Sequence, residues 1–141
     1  MKAFFDTSVL VAAFRGDHVH HERSLRVFAP STAEDAACSL HTLAELFAVL
    51  TAIPVKPPIS PEHAMLFVDE IRARLTPISL DSQDYYQTLR AAADRGLSGG
   101  RIYDALLLRC ARKCNAQTIY TWNVRHFETI APDLAARMRT P

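Results

Sequence analysis

Apolar and polar positions alternate along this chain in two rhythms, one suited to short buried strands and one to helices. Residues 2–5 read as a short buried strand, and Asp6-Thr7-Ser8 at its end supplies residues able to cap exposed helix amides. Residues 9–14 predict a brief helix ended near Gly16, residues 18–28 a second helix before Pro30, and residues 36–40 another strand. Residues 41–53 then carry Leu43, Leu46, Phe47 and Leu50 as a helical stripe, which Pro54 stops. Pro57, Pro58 and Pro61 mark an ordered turn, because the Gly-rich or repetitive composition of a flexible tether is absent.

Ser60-Pro61-Glu62 has the order of N-cap, N1 proline and early acid expected for a helix running to about Leu75. Residues 77–80 are a strand candidate. Asp81 or Ser82 can cap the following helix, where Tyr85, Leu89 and Ala92 or Ala93 recur at helical spacing up to about Gly96. A Ser98-Gly99-Gly100 turn leads into a helix over 101–113, then a strand over 117–120, a polar exit at Thr121-Trp122-Asn123 and a short turn or helix over 124–127. Strands alternating with helices predict an α/β fold with a small parallel sheet covered on both faces. No internal repeat or low-complexity stretch interrupts this order.

At 141 residues and 49% hydrophobic content, the chain suits one domain, residues 1–141, with a core large enough to hold without staples. Sixteen Lys plus Arg against fifteen Asp plus Glu give a formal charge of +1, so the total does not point to nucleic acid. The distribution adds one detail: Arg101, Arg109, Arg112, Lys113 and Arg125 make the C-terminal part basic, as a polyanion-facing surface or as a solvated helix face. Cys38, Cys110 and Cys114 form no CxxC pair, and two thiols four residues apart are too few for a tetrahedral zinc site; free thiols in a reducing compartment are the expectation. Asp6 arrives too early for an uninterrupted apolar signal segment, and charge or proline breaks every later run before bilayer length. The expected location is the cytoplasm, without a membrane.

Candidate chemistry lies in acids placed beside core-type segments, where a carboxylate needs compensation. Asp6 follows a strand and should sit at the carboxyl edge of the sheet, although Asp is also a common helix cap. Glu45 interrupts an apolar helix without falling cleanly on its stripe, so a solvent-facing glutamate is the plain alternative. Asp104 shares a helix face with Leu107, Leu108 and Ala111, and is equally a first-turn acid favoured by the helix dipole. In a parallel sheet Asp6 and Asn123 both follow strands at one edge, and Asp104 begins a helix on that side. Together these oxygens suit Mg²⁺, or Mn²⁺, with waters filling the other positions.

Phe5-Asp6-Thr7-Ser8, Ala44-Glu45-Leu46, Tyr103-Asp104-Ala105-Leu106 and the run from Thr121 to Phe127 together resemble the PIN-domain ribonucleases, in particular the VapC-like toxins of bacterial toxin–antitoxin pairs. The likeness in length, motif order and spacing spans nearly the whole chain. It implies a three-layer α/β/α sandwich, a homodimer, and hydrolysis of RNA phosphodiesters by Mg²⁺ or Mn²⁺ at an acidic triad of Asp6, Glu45 and Asp104. It further implies that Thr7 and Ser8 support the first acid and that Thr121 lies beside the metal site. Asn123 occupies a position that is commonly Asp, so a fourth full charge is missing. The resemblance also implies a cognate VapB-like antitoxin, whose amphipathic segment would enter an apolar groove made partly by residues 43–50 and 64–71.

Asp6 and Asp104 would contact the ion directly or through water, while Glu45 contacts it or orients the attacking water. Arg15, Arg101 or Arg125 could meet the RNA backbone, and Trp122 and Tyr103 could stack on bases or simply pack. His18, His20, His21 and His126 define no metal geometry and read as solvated or substrate-proximal. The alternatives are a non-catalytic RNA- or protein-binding module, or another metal-dependent phosphohydrolase.

Overall fold

A computed structural model describes residues 1–141. Five short strands, β1 (Ala3–Phe5), β2 (Ala36–Ser39), β3 (Thr76–Ile78), β4 (Thr118–Tyr120) and β5 (Met138–Arg139), form one sheet in the order β3-β2-β1-β4-β5. Every pairing is parallel. Parallel neighbours require crossovers, and helices supply them: α1 (Thr7–Phe14), α2 (His21–Phe28), α3 (Leu40–Ala52), α4 (Pro61–Arg74), α5 (Ser82–Asp94), α6 (Arg101–Lys113) and α7 (Val124–Ile130), followed by a 3₁₀ helix over Pro132–Arg137.

Strand alternation divides the core in two. Phe4 and Ala37 point to the face covered by Leu107, Leu108 and Ala111 of α6, Phe127 and Ile130 of α7, and Leu134. Phe5, Ala36 and Cys38 point to the opposite face, against Val9, Leu10 and Ala13 of α1, Phe28 of α2, Leu46 and Leu50 of α3, and Ala64, Val68 and Ile71 of α4. Neighbouring residues in β1 thus serve different cores, which is the period-two rule applied to an α/β/α sandwich. Phe4 and Phe5 are both 0% exposed, and truncating either to alanine would cost about 3–5 kcal/mol.

The predicted caps form as written for α4 and α5: Ser60 Oγ accepts from the His63 N–H at 3.0 Å, and Asp81 with Asp84 makes a reciprocal capping box. Gly96, at φ +69°, takes the left-handed position that ends α5. Several boundaries differ from the sequence expectation, among them the start of α1 at Thr7 and the end of α7 at Ile130. Helix α2 begins at His21, because the His20 N–H turns back to His18 Nδ1; Leu40 belongs to α3, with Ser39 as its cap; and β3 is centred on Pro77. The 3₁₀ helix and β5 carry no readable period and were not expected. No helix is long and apolar enough to cross a membrane.

Candidate active site

The centre of the sheet delivers Asp6. Its amide donates to the Tyr120 carbonyl at 2.9 Å, extending the β1–β4 pairing by one bond and fixing the residue at the carboxyl edge. Asp6 takes the N-cap position of α1 with extended backbone, yet its carboxylate makes no capping bond. Oδ2 instead accepts from Ser8 Oγ at 2.6 Å and from Thr121 Oγ1 at 2.9 Å. The capping explanation of this acid therefore fails. Asp6 is 5% exposed, and its pKa is raised by burial and, more weakly, by the negative charge of Asp104, against the hydroxyls of Ser8 and Thr121 and the Thr7 amide. No cation touches it.

Asp104, in the first turn of α6, is near enough for its charge to act on Asp6. Its side chain is 33% exposed, and Oδ2 contacts His126 Nε2 at 2.8 Å. Glu45 is reached from the other side. Thr7 Oγ1 lies 3.2 Å from Glu45 Oε1 and 3.0 Å from the hydroxyl of buried Thr42, so Thr7 steadies the glutamate of α3 and not, through its hydroxyl, the first acid as expected. The side chain of Glu45 is 42% exposed, with His41 Nε2 at 4.0 Å. Asn123 is exposed, with a side chain that caps nothing, while its amide donates to Thr121 Oγ1 at 3.0 Å.

The sheet edge thus unites Asp6 and Asp104, links Glu45 to them through the residue after Asp6, and leaves Asn123 one hydroxyl away. The carboxylates do not form a preformed cage, since no group of three or more His, Cys, Asp or Glu side chains is placed to hold an ion. The donor chemistry nevertheless fits Mg²⁺: this ion favours hard oxygens, keeps several waters and is usually held by only one or two carboxylates. Asp6, which no protein cation touches, and Asp104, which meets only the imidazole of His126, supply that pair.

Other predicted residues serve the fold. His20 stacks on Trp122 with centroids 3.7 Å apart, and the indole Nε1 donates to buried Ser24 at 2.8 Å. His21 Nδ1 meets the Ala12 carbonyl at 2.9 Å. This part of the histidine cluster is packing, and so is Trp122, whereas Tyr103 remains 62% exposed. The basic helix face is also committed: Arg109 and Lys113 both bind Asp84, and Arg112 binds Asp133. The cysteines are free, as expected, and burial pushes the Cys38 thiol up to about 12. Sequence reading missed the Asp104–His126 contact as a pair; the four-motif pattern contained both residues but not their proximity.

Comparison with known proteins gives a consistent result. The family model of the PIN domain matches residues 3–131. Ribonuclease VapC40 of Mycobacterium tuberculosis is 31% identical over 124 residues, covering 88% of each chain. Among solved structures, M. tuberculosis VapC20, described as a sarcin-ricin loop cleaving toxin, superposes with a TM-score of 0.73 at 16% identity, over 91% of this chain and 95% of that one. Rickettsia felis VapBC2 bound to a promoter DNA fragment gives 0.67 at 22% identity, over 100% and 99%.

Proposed function

The chain belongs to the PIN-domain family and is related to the VapC-like toxins, and from that premise we propose that it is a Mg²⁺-dependent endoribonuclease restrained by a cognate antitoxin. The observation that carries this reading is Asp6: a buried carboxylate whose neighbours are hydroxyls and a second acid, with no protein cation. Asp6 and Asp104 would hold the ion, with Mn²⁺ as a substitute, and Glu45 would contact it or act through water. When bound, the metal polarises the scissile phosphate and stabilises charge on the leaving oxygen.

The residues contribute position and proton transfer. Ser8 and Thr121 fix the Asp6 oxygen, and Thr7 fixes Glu45. Glu45, half-exposed, would either contact the ion or take a proton from the water whose oxygen attacks phosphorus; the new P–O bond forms as the bond to the leaving oxygen breaks, and that oxygen takes a proton from solvent. Asn123 contributes an uncharged oxygen at the rim and no proton transfer.

The antitoxin is assigned to α2, α3 and α4, where Leu25, Val49, Met65 and Leu66 are exposed and offer apolar contacts to an amphipathic segment. A homodimer is the alternative use of the same helices, whose exposed apolar side chains would then meet a second copy of the chain.

Cleavage of total RNA with end mapping, with and without Mg²⁺, tests the activity. Discrete metal-dependent cuts that Asp104→Asn abolishes are expected. Cuts that persist in chelator or in the variant overturn the mechanism, and RNA binding without cuts points to a non-catalytic module.

A further inference from the structure

The cations of the C-terminal third are not equivalent. Arg109, Arg112 and Lys113 are neutralised by Asp84 and Asp133, Arg101 donates to Thr129 Oγ1, Arg95 holds the carbonyls of Thr129 and Ile130, and Arg137 holds the Ala116 carbonyl at 3.0 Å. Arg125 has no hydrogen-bond or ion-pair partner, and Arg139 touches only the carbonyl of Met138. Both line a single groove of about 650 Å³ between α7 and β5, together with Asn123, His126 and Thr140, and no carboxylate contributes to its lining.

One wall of this groove is His126, whose Nε2 contacts Asp104 at 2.8 Å, so a single side chain separates the groove from the acidic centre. Its far wall is registered to the same centre: the Thr121 amide donates to the Arg139 carbonyl at 3.0 Å, while the Thr121 hydroxyl holds Asp6. The geometry points to this groove as the track for the sugar-phosphate backbone of single-stranded RNA beside the scissile bond, with Arg125 and Arg139 as its phosphate contacts. This rests on the ribonuclease reading and specifies how that site holds its substrate. Acids that bind a metal also repel a polyanion, and unpaired guanidiniums next to them supply the opposing attraction. A single strand is the assigned form because its flexible backbone can follow a groove toward a centre whose first acid is 5% exposed, which a stiff duplex does less readily. Trp122, also on the groove, already packs against His20 and Ser24, so recognition here is of backbone charge and not of base identity.

The test is fluorescence anisotropy with a short labelled single-stranded RNA of mixed sequence, in chelator so that nothing is cut, on the full chain. Arg125→Gln with Arg139→Gln should weaken binding about tenfold at moderate salt and flatten the dependence of log K on log salt by about 1.4, at roughly 0.7 per single-strand phosphate contact. Arg26→Gln with Arg72→Gln removes two exposed cations from the opposite layer and should leave both quantities unchanged. Thermal melts check that each variant folds. Equal weakening by both pairs, no weakening by the groove pair, or tighter binding of duplex than of single strand overturns the proposal. Metal-dependent cleavage of total RNA by the unaltered chain, measured alongside, separates the outcomes: cuts with an indifferent groove pair remove the track and keep the activity, whereas neither cuts nor binding removes both.

Discussion

Asp6 and Asp84 are both nearly buried, at 5% and 8% exposure, and the fold treats them in opposite ways. Asp84 sits between α5 and α6 and accepts from Arg109 Nη2 at 2.9 Å, from Lys113 Nζ at 2.7 Å and from the Asp81 amide at 3.2 Å. The Lys113 and Arg109 hydrogen bonds, ahead of other causes, lower its pKa to about 2. Asp6 receives two hydroxyls and the repulsion of Asp104, and its pKa rises. An acid that fastens helices is given its cations by the chain; the acid proposed to hold a metal is left without them. Burial alone does not distinguish these roles, but the sign of the neighbouring charge does.

Exchanging the two acids for amides should break the comparison most sharply. Asp6→Asn is expected to lower metal-dependent RNA cleavage by about 100-fold or more while keeping or raising Tm in chelator, because a buried charge next to Asp104 is removed. Asp84→Asn should do the reverse, lowering Tm by about 5 °C with cleavage per folded molecule unchanged, since Arg109 and Lys113 lose their shared partner. Cleavage assays and thermal melts on both variants read this directly, and a loss of cleavage in the Asp84 variant at intact fold would erase the distinction.

Mg²⁺ sharpens it next. At about 100 times Kd, mass action adds about 2.7 kcal/mol to stability, seen as a Tm rise of several degrees in the unaltered chain and in Asp84→Asn but absent in Asp6→Asn.

Acid titration in chelator gives opposite signs. The stability contributed by Asp84 is complete above the ordinary value of 3.8 and is lost as pH falls toward about 2. The stability linked to the Asp6 proton is complete below 3.8 and is lost as pH rises through its raised folded pKa. Asp84→Asn should therefore flatten the acid limb of a Tm–pH curve, and the advantage of Asp6→Asn over the unaltered chain should grow with pH above 3.8. The smallest effect belongs to Thr7→Val, which frees Glu45 without removing an acid: cleavage should fall about three- to tenfold with little change in metal affinity measured by calorimetry.

Much of this arrangement was legible in the sequence because local signals agreed with the fold. Ser60-Pro61, Asp81 and Gly96 each punctuate a helix by chemistry that acts within a few residues. Asp6 and Asp104 were legible as candidates, but their closeness depends on β1 and α6 meeting at one sheet edge, which no local pattern states. The missed elements had different causes. β5 is a two-residue strand whose place is set by pairing with Ile119 and Tyr120, so it leaves no period to read. The partners of Arg109, Arg112 and Lys113 lie far away in sequence, and a count of basic residues could not separate them from Arg125. His20 and Trp122 are likewise distant in sequence, and their stacking converts two substrate candidates into packing.

That stacking leaves the chain with a built-in optical gauge. Trp122 is the only indole in the protein, and its amide donates to Ser8 Oγ, the same hydroxyl that bonds Asp6, at 3.2 Å. A rearrangement of the first acid would reach the backbone of this residue through two hydrogen bonds, Ser8 to Asp6 and Trp122 to Ser8. Intrinsic emission of the unlabelled protein would therefore follow the proposed ion uptake in real time, without dye, substrate or turnover.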